Sequence, residues 1–318
     1  MSLPCPVKAV IVIPARNEVA RIDACLHALA AQDLNNAAVV LVANNCDDGT
    51  VPVARASAAA RDINLIILEF SLPIGKGVGT ARRLGCDAAI SNFPDADVLL
   101  CTDADCLTAP DWIARNRYHL GTVAAVCGCV QPMSEELFVL QDIEITSAEM
   151  EGRYEALVTD YYRLMRPGLY GLTGDHSHAA GASLAVRIAD YRAVGGFAEV
   201  VTGEDRDLVR RLKTAGHGVL HAGDVRVTAS CRLDGRAQGG MSDALRARAD
   251  RTNYFIDDAL PPARHLIDAA RQGTLGPWPL EVAARDRLRA RDLASQIALL
   301  EAALLEVSVR GLKVVPDQ

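Results

Sequence analysis

The chain has 318 residues, half of them hydrophobic, which is enough for one large or two ordinary packed cores, so it reads as globular. A net charge of -7 excludes partners held by bulk attraction to phosphate: no nucleic acid and no anionic membrane surface is expected, and a small molecule fits better. Nine cysteines with no CxxC pair read as reduced thiols in a cytoplasmic compartment.

The start, MSLPCPVKAVIVIPARNE, has neither the charged n-region nor the apolar core of a signal peptide, and no apolar run approaches the roughly 20 residues that span a bilayer. KAVIVIP (8–14) is a continuous apolar run of strand length. In the NEVARIDACLHALAAQ stretch that follows, Val19, Ile22, Leu26 and Leu29 recur at helical spacing. AAVVLVANN (37–45) predicts a second strand, and TVPVARASAAARD a second helix, with Asp48 and Thr50 as cap candidates. NLIILEF predicts a third strand, GKGVGTARRLGCDAAIS a third helix and DVLLCTDAD a fourth strand. Strands apolar on both faces and separated by helices imply a parallel sheet covered on each side.

Beyond Asp105 the pattern predicts a short helix from Asp111, the strand TVAAVCGCVQP and a helical region from Glu135 to Arg166. The loop GLTGDHSHAAGASLAVR, the helix GEDRDLVRRLKTAGHGV and the strand DVRVTASCR follow. After Asp234 the composition shifts to Ala, Arg, Leu and Asp with helical periodicity. This quarter either packs against the sheet domain or makes a homo-oligomer contact through its helices.

Ligands of such sheets bind at the carboxyl ends of the strands, and PARNE, NNCDD and TDAD all fall there. In TDAD, Asp103 and Asp105 stand one residue apart, and adjacent carboxylates persist only if solvent screens them or a cation sits between them. His176 and His178 lack a third partner of zinc-site type, and Trp112 reads as an anchor for its helix.

With PARNE after the first strand, TDAD after the fourth, and GEDRDL after a GA...R...GGF segment, residues 8–232 resemble a family 2 glycosyltransferase. The resemblance implies the GT-A fold: a Rossmann-like, mostly parallel sheet flanked by helices over residues 1–234, with 235–318 as a helical C-terminal extension. It implies transfer of a sugar from a nucleotide diphosphate, a UDP-sugar first and a GDP-sugar second, to an acceptor hydroxyl that the sequence does not identify. Asp105 then holds a divalent cation, Mn2+ or Mg2+, while Asp103 meets the ribose or a metal-bound water. Pro14, Ala15, Arg16 and Glu18 form the first nucleotide loop, Asn45 or its neighbour Asn44 meets the base, and Lys76 offsets phosphate charge.

In the same resemblance Asp205 is the general base of an inverting reaction, and Glu204 binds or orients the acceptor. His178, Gly181 and Ala182 stand near the sugar, and one of Arg82 and Arg83 faces the site. Arg232 and Arg236 form a lid over the diphosphate. The Q-x-x-R-W motif of processive synthases is missing, which favours single-sugar transfer. The alternatives are a retaining GT-A transferase, a nucleotidyltransferase, and a sugar-nucleotide-binding module without turnover.

Overall fold

A computed structural model of the protein describes residues 6–73, 75–140, 145–168, 171–235, 240–249 and 253–312. Its first half alternates strand and helix: β1 (Ala9–Ala15), α1 (Ile22–Ala30), β2 (Ala37–Asn44), α2 (Thr50–Ala60), β3 (Leu65–Phe70), α3 (Val78–Asn92) and β4 (Val98–Cys101). Then come β5 (Cys106–Thr108), α4 (Trp112–Leu120), β6 (Ala125–Pro132), α5 (Ile145–Met165), β7 (Thr173–Gly174), β8 (Leu184–Arg187) and α6 (Ile188–Ala193). The chain continues through α7 (Glu204–Thr214), β9 (Val219–Ala229), α8 (Met241–Ala249), α9 (Ala263–Arg271) and α10 (Leu293–Leu312).

Every residue of β1 and β2 is buried, as expected of strands covered on both faces. Their alternation feeds two cores. Ile11 and Ile13 pack with Leu26, Leu29 and Ala54 on one side of the sheet, while Val10 and Val12 pack with Ala81, Cys86 and Leu208 on the other. The sheet order is β3-β2-β1-β4-β8-β6-β9-β5. The first four strands are parallel, as the sequence implied. Between β4 and β6, however, lies β8, antiparallel to both, and β5 closes the far edge antiparallel to β9. The sheet is therefore mixed and mostly parallel. Neither short strand carries the long apolar run that betrays a central parallel strand.

The chain divides into two compact units, residues 1–140 with 174–244, and residues 141–173 with 245–318. This differs in two places from the line drawn at 234 from composition: α5 belongs with the C-terminal segment, and the start of α8 belongs with the sheet. In that second unit Tyr154, Val158, Tyr161 and Tyr162 of α5 share a core with Leu266, Trp278, Leu293 and Leu300. Buried Glu151 meets Arg248 and the Tyr254 hydroxyl there. The cleft described below belongs entirely to the first unit.

Candidate active site

The first three strands end side by side, and the loops that leave them are tied together. After β1 the chain turns at Asn17, held at φ 55°, in the left-handed region that asparagine tolerates better than most residues. The Asn17 amide donates to Asp47 Oδ1 at 2.6 Å and accepts the Asp47 N–H at 3.0 Å. The Glu18 N–H donates to Thr50 Oγ1 at 2.7 Å, while Asp48 accepts the Thr50 N–H at 2.9 Å; the N-cap of α2 is Gly49, without a side-chain cap, so the two residues expected to cap the helix anchor the first loop instead. After β2 the chain turns again at Asn45, φ 51°. Its amide donates to the Leu72 carbonyl at 3.1 Å and accepts the Leu72 N–H at 3.0 Å, which fixes the loop after β3. The Asn45 amide is thus engaged by the backbone of Leu72 through both its oxygen and its nitrogen.

These loops wall a cleft of about 400 Å³. Pro14, Ala15, Arg16, Glu18, Asn44, Asn45, Lys76, Asp103 and Asp105 all line it, so the residues named from the sequence for the nucleotide and the metal reach one space, whereas His178, Gly181 and Ala182, expected near the sugar, are not in its lining. Leu72, Val201 and Arg232 are among its other lining residues and were not placed there by motif, apart from the lid reading of Arg232. Arg236, the other lid residue, lies outside the described residues. Lys76 donates to Glu199 at 2.6 Å, an exposed ion pair, rather than pointing only at the cleft.

The acidic floor of the cleft is balanced by two arginines. Arg232 pairs with Glu18 through both terminal nitrogens, one of them at 2.7 Å, and reaches Asp105 Oδ2 at 3.0 Å. Arg82, 2% exposed, donates to Asp103 Oδ1 at 2.5 Å and also to Glu204. Burial and the neighbouring Asp103 charge push the Asp105 carboxyl up to about 6, with Arg232 pulling the other way. Two hard carboxylates facing one cleft suit Mg2+ or Mn2+. Among the described residues no group of three His, Cys, Asp or Glu side chains is placed to hold a metal ion. A cation here would therefore draw its remaining ligands from water and phosphate oxygens.

Glu204 and Asp205 open α7 beyond the cleft lining. Glu204 is 2% exposed and faces Arg82, which leaves it no surface to touch an acceptor directly. Burial pushes its carboxyl up, and Arg82 opposes the shift. Asp205 remains partly accessible: Oδ2 accepts the Gly181 N–H at 2.8 Å and Oδ1 the Arg206 N–H at 2.7 Å. Asp103, Arg82, Glu204 and Asp205 are thereby linked, although 122 residues separate Arg82 from Glu204. Arg83, by contrast, donates to the carbonyls of Gly195 and Phe197 on the outside. Trp112 is an anchor, fully buried with its indole N–H on Ser183 Oγ at 3.0 Å.

The sequence profile described as Glycosyl transferase family 2 matches residues 10–181. No curated protein matches the sequence significantly. Among solved structures, a mannosyltransferase, PcManGT from Pyrobaculum calidifontis in complex with GDP-Man and Mn2+, superposes with a TM-score of 0.55 at 20% identity, covering 96% of this chain and 76% of that one. S. aureus TarS in complex with UDP-GlcNAc superposes with a TM-score of 0.52 at 14% identity, covering 92% of this chain and 70% of that one. At such identities the likeness is one of fold.

Proposed function

The chain belongs to glycosyl transferase family 2, and from that premise we propose that it moves one sugar from a nucleotide-diphosphate donor to an acceptor hydroxyl, with inversion. The observation that carries this reading is convergence: the segments around Arg16, Asn45, Lys76 and Asp103 come from four separate places in the chain and line one cleft at the carboxyl ends of the parallel strands. Glu18 and Arg16 face the nucleoside, and Lys76 and Arg232 offer positive charge to the diphosphate. Asp105 with Asp103 holds a divalent cation, Mn2+ or Mg2+, which when bound neutralises charge on the departing diphosphate. Asp205 takes the proton of the acceptor hydroxyl. Both of its oxygens keep a lone pair beyond the N–H bonds they accept, which leaves each able to receive the proton.

A UDP-sugar is the first donor to test and a GDP-sugar the second, since structures of this fold have been solved with each class. Among the described residues no helix is long and apolar enough to cross a membrane. The eight described cysteines carry free thiols, which supports a cytoplasmic enzyme.

The purified protein is incubated with a panel of UDP- and GDP-sugars and Mn2+. The expected result is release of the nucleoside diphosphate, abolished by EDTA and restored by added Mn2+ or Mg2+. Pyrophosphate as the product would replace this reading with nucleotidyl transfer. Tight, metal-dependent binding with no release across a broad acceptor set would replace it with a binding module.

A further inference from the structure

We propose that Arg82 is a positioning residue that sets the place of the Asp205 carboxylate and ties it to the donor side of the cleft through Asp103. This rests on the reading of Asp205 as the base. Arg82 sits inside α3 with 2% of its surface exposed, and its two terminal nitrogens point at different partners: Nη2 at Asp103 Oδ1, 2.5 Å away, and Nη1 at Glu204. Gly181 packs on the same guanidinium so closely that a side chain at 181 would occupy its space. Asp205 is held from both of those directions, as the chain neighbour of Glu204 and as the acceptor of the Gly181 N–H at 2.8 Å, besides the Arg206 N–H that its Oδ1 accepts.

The start of α7 is also approached by Gly79 of α3, which lies close to the Glu204 Cβ, but that contact carries no charge. The residue before α7, Gly203, stands at φ 84° and offers no side-chain cap. The Arg82 ring stack is loose as well, with the guanidinium carbon 5.8 Å from the Phe197 centroid. Two of the constraints on the base therefore meet on one buried cation. A planar fork with two terminal amino groups can serve two carboxylates in different directions, whereas an ammonium is a point charge that satisfies one well. Because Asp103 lies in the cleft, whatever engages its other carboxylate oxygen changes the charge that Arg82 must balance at Glu204. Occupancy of the donor site is thereby transmitted to the first turn of α7. A displacement of about 1 Å at a reacting group is enough to lower a rate about 10²-fold.

The test compares wild type with Arg82→Lys, Glu204→Gln and the double variant, measuring turnover, nucleoside-diphosphate affinity by calorimetry with Mn2+, and thermal melting. Arg82→Lys keeps the buried charge and is expected to lower kcat by about 10²-fold, while nucleotide affinity stays within about threefold. Glu204→Gln is expected to lower kcat in the same way, and the double variant to be no worse than the poorer single one, since both act through one arrangement. A parallel loss of affinity and rate would make Arg82 a donor-binding residue and overturn the proposal. Losses that multiply in the double variant would overturn it too, as would unchanged kcat. If Arg82→Lys does not fold, Glu204→Gln with Gly181→Ala decides by the same criteria. Failure of the underlying reading looks different: Asp205→Asn would then retain full transfer, whatever the Arg82 variants do.

Discussion

A carboxyl group largely out of water and beside a second carboxylate is easier to protonate, and Asp105 meets both conditions, its side chain 23% exposed and its neighbour Asp103 ionisable. The folded protein raises this carboxyl from an ordinary 3.8 to about 6, so its charge works against folding at neutral pH. That cost is absent below the unfolded value, grows as pH rises from about 4, and is fully present above about 6. Asp105→Asn is therefore expected to stabilise the protein by roughly 1–2 kcal/mol at pH 8 and by nothing at pH 4. It should also weaken Mn2+-dependent nucleotide binding at least tenfold. Melting curves across that pH range check the first part, and a stability loss at pH 8 would contradict it. The adjacency of Asp103 and Asp105 is legible in the sequence because they are chain neighbours. Their counter-charges are not: nothing in the spacing tells Arg82 from Arg83, since the helix phase that sends one inward depends on where α3 meets β1. Lys76 shows the same limit, because its partner Glu199 lies 123 residues away.

At the scale of elements, α3 is pressed onto the sheet at a glycine. A side chain at Gly85 would lie 2.5 Å from Val12 Cγ1 and 2.8 Å from Val42 Cγ2, so the helix approaches β1 and β2 more closely than alanine allows. Gly85→Ala is expected to cost about 1–3 kcal/mol, read as a lower denaturant midpoint, despite alanine's better helix propensity. An unchanged midpoint would mean that α3 can retreat, and that Arg82 is not held as tightly as its contacts imply. The parallel strands and their helices were readable from continuous apolar runs and 3.6-residue periodicity. The start of α1 was not. Val19 fits the periodicity, yet the chain is still turning there after Asn17, and Val19 is 42% exposed ahead of a helix that begins at Ile22. The antiparallel strands β5 and β8 escaped because three or four residues carry too little pattern. Even so, β8 is the strand whose approach places Gly181 and Ser183 beside α7 and Trp112.

At the scale of the molecule, the cleft, its acidic pair and Asp205 belong to one compact unit, and the aromatic core of α5 and the C-terminal helices to the other. Composition could not single out α5, because its polarity falls within the range of the helices of the sheet unit. Its membership follows from where Tyr154, Tyr161 and Tyr162 find partners, which only the folded chain reveals. On the proposed function the cleft binds the donor while Asp205, outside its lining, does the proton transfer. Asp205→Asn preserves shape and removes the base, so turnover and nucleotide affinity measured on the same preparation separate the two roles. The expected result is a loss of turnover of about 10³-fold or more with Mn2+-dependent nucleotide affinity within threefold of wild type. Retained turnover, or an affinity that falls in step with the rate, would contradict it.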